Sequence, residues 1–187
     1  MTPDHLDPFA KILINSYRDT QAYSAWFMDR HGSPPTRMSK AHHLRGAAQV
    51  AFAKDVRYTL QLPYLEFGRV AVVEVETGQQ LVLRSEGAVA AEERSKQGEL
   101  YGESYIKRVA ALELLVIYAF TAAGLRLALA GAARVNGSRR LRPSGPPVHM
   151  GVWPYQGGTG PDGSFDQGSP DLFRDLGDLD LGEEDEG

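Results

Sequence analysis

No cysteine occurs anywhere in the 187 residues. Disulfide scaffolds, thiolate metal centres, iron–sulfur clusters and cysteine nucleophiles are excluded from the outset. A basic and then apolar leader is also missing. The opening Met1-Thr2-Pro3-Asp4-His5-Leu6-Asp7 is acidic, which leads to the expectation of a cytoplasmic protein. There is no Gly-x-Ser-x-Gly elbow to raise a serine nucleophile, and no internal repeat.

What is present is enough to build a core. Hydrophobic residues make up 42% of the chain, which excludes wholesale disorder. Asp7 as a cap and Pro8 behind it open a helix over about 8–30. Its stripe is Phe9, Ile12, Leu13, Tyr17, Tyr23, Trp26 and Phe27, at spacings of three and four. Gly32 and Pro34-Pro35 stop it. An alanine-rich helix over 38–54 follows, with Met38, Leu44, Ala48, Ala51 and Phe52 expected inward.

Strict alternation over 56–62 places Val56, Tyr58, Leu60 and Leu62 on one face of a strand. The runs 69–76 and 80–85, joined by Thr77-Gly78-Gln79, predict a hairpin. A short polar helix is expected over 88–97. A long helix is expected over 104–130, because Leu114-Leu115-Val116-Ile117-Tyr118-Ala119-Phe120 is apolar on every side. Residues 114–133 carry one charge, Arg126, and are long enough to cross a bilayer. Neighbouring Glu113 and the strands in need of a cover favour a buried core helix instead. Val148–Tyr155 adds an edge strand.

Charge divides the chain in two. Residues 161–187 hold ten acids against Arg174 alone, a net of −9, so against −4 for the whole chain residues 1–160 stand at +5. The organisation read from this is a globular domain over 1–155 and a Gly/Pro-rich linker with an acidic tail over 156–187.

Few motifs carry chemistry. Gly158-Thr159-Gly160-Pro161-Asp162-Gly163 spells a dinucleotide fingerprint, but it lies in linker and lacks the strand and helix that such a site requires. His42 and His43 are adjacent, so on a helix they point about 100° apart and cannot face one ion. No metal or other cofactor is expected, and the reading leans away from an enzyme.

Two binding features remain. Arg134, Arg139, Arg140 and Arg142 stud a Gly/Pro/Ser loop, and Arg37, Lys40, His42, His43 and Arg45 form a second basic cluster, as phosphate binding would require. In the tail, Leu172, Phe173, Leu176, Leu179 and Leu181 punctuate the acids, a pattern suited to an anchor that folds into a partner's groove. Gln167 through Phe173 resembles the bacterial sliding-clamp-binding peptide in its glutamine followed by a Leu-Phe pair, without that peptide's interior apolar residue.

The expectation is an α+β fold: a small, mostly antiparallel sheet packed against an N-terminal helix pair and one long apolar helix. Its function is expected to be non-enzymatic protein binding, as an adaptor or assembly subunit. The tail is the anchor, through Gln167, Leu172, Phe173, Leu176, Leu179 and Leu181, with another protein or a second copy as partner and no membrane. The alternative is a nucleic-acid-associated protein whose arginine loop is regulated by the tail.

Overall fold

The computed structural model describes residues 2–61, 69–94, 106–108, 113–135 and 141–155. The fold is α+β, with two N-terminal helices laid on a curled, mostly antiparallel sheet. A 3₁₀ turn over Pro3–Leu6 leads into α1, Asp7–His31. Asp7 is therefore the first helical residue and not the cap, and its carboxylate accepts the Trp153 indole N–H at 2.6 Å. Gly32 ends α1 at φ 68, where its N–H reaches the Met28 carbonyl at 2.8 Å. Thr36 caps α2, Arg37–Lys54, by accepting the Ser39 N–H at 3.1 Å.

The strand expected over 56–62 is shorter, β1 being Tyr58–Leu60. Val56 precedes it at 91% exposure, so the alternation does not extend to it, and Leu62 lies outside the described residues. The hairpin forms as expected from β2, Ala71–Glu74, and β3, Gln80–Ser85, with Gly78 at φ 67 in the turn. Next come α3, Glu86–Arg94, and β4, Ile106–Arg108.

The long helix over 104–130 is not formed. Its apolar stretch is instead an antiparallel hairpin of β5, Glu113–Thr121, and β6, Gly124–Val135. The cause is burial on both faces. In β5, Val116 and Tyr118 enter the core under the helices, while Leu115 and Ile117 enter a second cluster on the opposite face. A strand covered on both sides needs no polar alternation and reads as continuously apolar. Among the described residues no helix is long and apolar enough to cross a membrane.

β7, Leu141–Pro143, and β8, Val148–Trp153, complete the sheet, β8 being the edge strand expected there. The order is β1-β2-β3-β5-β6, and among the described strands only the β3–β5 pair is parallel. Residues 125–129 of β6 pair with both β5 and β8, and 133–134 pair with both β4 and β7. That makes β6 the interior strand on which this end of the sheet is built.

The main core lies between sheet and helices. Phe9, Leu13, Tyr17, Leu44 and Phe52 meet Val72, Leu81, Val116, Leu125 and Leu127. Phe9, Phe52 and Tyr58 pack ring on ring, with centroids 4.9 to 6.0 Å apart. The opposite face is smaller in volume, Ala130 and Ala132 standing opposite the leucines of β6, with Val89 of α3 and Leu141 of β7 packed there.

Candidate functional site

The 25 residues of α1 give a helix about 37 Å long, at about 1.5 Å per residue. Its buried residues stop at Thr20. The last three turns therefore run past the core, still carrying aromatic side chains at helical spacing. Trp26 is 54% exposed, Met28 48%, and Met38 at the start of α2 45%. The sequence puts Trp26 in the apolar stripe of the first helix and Met38 inward on the second, and the structure places both on the surface.

Of these, Trp26 belongs to a layer of aromatic rings. Tyr23 stacks on His43 of α2 at 4.4 Å with 9° between the planes. It also meets Trp26 at 6.1 Å and Phe27 at 5.9 Å. Phe27 packs on His31 at 4.3 Å, and Trp26 lies edge-on to the same imidazole at 6.3 Å. The Tyr23 hydroxyl bonds the Ser39 hydroxyl at 2.8 Å, tying the layer to α2. The Thr20 hydroxyl donates to the Ser16 carbonyl at 2.9 Å, so the longer 3.4 Å contact with His43 requires the imidazole Nδ1–H as donor. The rings are thus held in place while their outer faces meet water.

The stretch of chain that carries the layer is basic. From 21 to 45 the chain carries Arg30, Arg37, Lys40 and Arg45 against one acid, Asp29. Arg45 also lies 3.1 Å from His42 Nδ1, and burial together with that guanidinium pushes the His42 pKa down. Of the second basic cluster read from the sequence, His43 stacks on Tyr23 in the layer, and Arg45 lies beside His42.

The other features part company. Arg134 lies in β6 and Arg142 in β7, so half of the expected arginine loop is paired sheet. Their register is offset, since Arg134 faces Leu141 and Arg142 faces Ala133. Arg139 and Arg140 lie outside the described residues, as do Gln167, Leu172, Phe173, Leu176, Leu179 and Leu181. The structure brings none of the tail residues to a site.

Two concavities among the described residues could in principle hold a small molecule. A cleft of about 230 Å³ between α3, β5, β6 and β8 is lined by Glu86, Ile117, Arg126, Ala128 and His149, and its acid is already ion-paired to Arg126. The other, about 440 Å³ beside Lys54, Asp55 and Arg57, is open, and Asp55 is held below the usual carboxylate range by its hydrogen bonds to Arg57. Among the described residues no three of His, Asp and Glu gather to hold a metal ion. Neither concavity presents a nucleophile with a base and an orienting partner.

The aromatic layer is the stronger candidate. The signal for it in the sequence was excess length, because Tyr23, Trp26 and Phe27 extend the stripe beyond what short strands can cover. No protein-family model, curated protein or solved structure matches the chain.

Proposed function

We propose that this is a non-enzymatic protein-binding protein, an adaptor or a subunit of a larger assembly. The observation that carries the reading is the aromatic layer of Tyr23, Trp26 and Phe27 at the α1–α2 end, Trp26 exposed and the other two half-buried, in a basic stretch of chain. Ordered aromatics bury much area on docking at little entropic cost, and they are frequent anchors at interfaces. A surface of this kind fits a partner that is apolar in patches and acidic between them.

The C-terminal segment is the second binding element of the proposal. Leu172, Phe173, Leu176, Leu179 and Leu181 supply apolar anchors, Gln167 a polar lead, and the acids between them steer encounter with a basic partner. A cytoplasmic setting belongs to the same reading and suits a chain with no cysteine to oxidise. Its test is capture from nuclease-treated source lysate by the full chain and by the full chain carrying Leu172→Ala and Phe173→Ala. The tail assignment expects a captured protein to be lost from the variant, and equal capture by both would remove the tail from the function.

Nucleic acid is the second reading, favoured by the same aromatic rings in a stretch of chain that carries Arg30, Arg37 and Lys40. Single-stranded nucleic acid binds by stacking bases on aromatic faces within a cationic groove. Such binding weakens steeply from low to physiological salt. A protein partner anchored by apolar burial would hold through that range.

A further inference from the structure

We propose that the aromatic layer at the α1–α2 end is the docking surface for the chain's own acidic–apolar segment, residues 171–181, bound in cis. The inference deepens the protein-binding reading and rests on it: the two binding elements cover each other until a partner displaces one of them.

Chemical complementarity is the first argument. Residues 171–181 carry Asp171, Asp175, Asp178 and Asp180 against Arg174, with Leu172, Phe173, Leu176, Leu179 and Leu181 among them. Residues 21–40 carry the opposite balance, Arg30, Arg37 and Lys40 to Asp29, with Trp26 exposed among the rings. On a helix, Leu172, Leu176 and Leu179 fall on one side with Phe173 next to them. That side would lie on the rings while the aspartates meet Arg37 and Lys40. Helix-in-groove recognition of this kind is read through anchors three and four residues apart.

The place where the described chain ends is the second argument. Tyr155 stacks on Tyr17 of α1, with ring centroids 5.9 Å apart. Tyr17 precedes Tyr23 by six residues and Trp26 by nine on the same helix, which is about 9 and 14 Å along its axis. The tail therefore departs beside the layer. Sixteen residues separate Tyr155 from Leu172, and at about 3.5 Å each they span up to ~55 Å, several times the distance needed. A short tether holds its end at an effective concentration of order millimolar, which favours cis contact over a second copy at micromolar protein.

The layer carries one of the chain's two tryptophans, Trp153 being far along the sequence and bonded to Asp7. The test is therefore the pair of indole N–H resonances of the ¹⁵N-labelled full chain. It is compared with the full chain carrying Leu172→Ser, Phe173→Ser and Leu176→Ser, and with one carrying Arg37→Glu and Lys40→Glu. In both variants the Trp26 resonance is expected to move to a common new position, and its N–H to exchange with water at least about twofold faster once the docked segment leaves. The Trp153 resonance stays, and the wild-type spectrum is unchanged on dilution. An unmoved Trp26 resonance in the tail variant overturns the proposal. So does a wild-type position that drifts toward the variant's on dilution, which would assign the contact to a second copy. Either failure leaves the protein-binding reading intact, because partner capture from lysate decides that separately.

Discussion

Gly124 shows how much one residue can constrain this fold. It opens β6 at φ 144, in a region that L side chains rarely adopt. A Cβ there would sit 2.2 Å from the Trp153 carbonyl oxygen, an overlap with backbone that no rotamer change relieves. The Thr121 hydroxyl also donates to the Gly124 carbonyl at 2.8 Å, closing the β5–β6 turn over Ala122-Ala123. Gly124→Ala therefore combines backbone strain with displacement of β8. It is expected to lower stability by about 2–4 kcal/mol, read as a lower urea midpoint. Gly46, whose Cβ would meet nothing within 4 Å inside α2, is the internal comparison, since alanine there is expected to be neutral or stabilising.

At the scale of elements, legibility followed burial on one face. The two N-terminal helices have a wet side, and α1 ends in a Gly32 stop, so period and punctuation agreed with the structure. The β2–β3 hairpin was legible because Gly78 sits in its turn. The β5–β6 hairpin was not, for two physical reasons. Both faces of β5 are buried, and the turn is Ala122-Ala123, residues with high helix propensity and no turn signature. One signal was available in β6, where Leu125, Leu127 and Leu129 alternate with Arg126, Ala128 and Ala130, large toward the helices and mostly small toward the other face. A helix would turn Leu127 away from Leu125 and Leu129, and period two keeps all three together. Leu127, fully buried in the main core, tests that assignment. Leu127→Ala is expected to cost about 2–5 kcal/mol in chemical denaturation. Arg126→Ala, one residue away on the other face and exposed, should change stability by less than about 1 kcal/mol despite its pairing with Glu86.

Over the whole molecule, charge was the property the sequence stated most directly, a body at +5 and a terminal segment at −9. What it could not state was where on the body the positive charge meets apolar surface. That depends on where along α1 burial ends, a tertiary property which local pattern does not encode. The stripe that reads as one amphipathic face is two things in space: core up to Thr20 and exposed aromatic layer beyond it. The site was therefore half legible, its residues visible and its exposure not.

The central claim is that this end of the helix pair contacts protein. Its most direct test replaces Trp26 with the photo-crosslinker p-benzoylphenylalanine in the full chain carrying Leu172→Ser, Phe173→Ser and Leu176→Ser, so that the chain's own tail leaves the layer open, and irradiates it in nuclease-treated source lysate. The control carries the crosslinker at Val56, which is 91% exposed but lies off the layer. The account predicts a discrete intermolecular adduct from position 26 that is absent from position 56. No intermolecular adduct from position 26, or the same adducts from both positions, would contradict it.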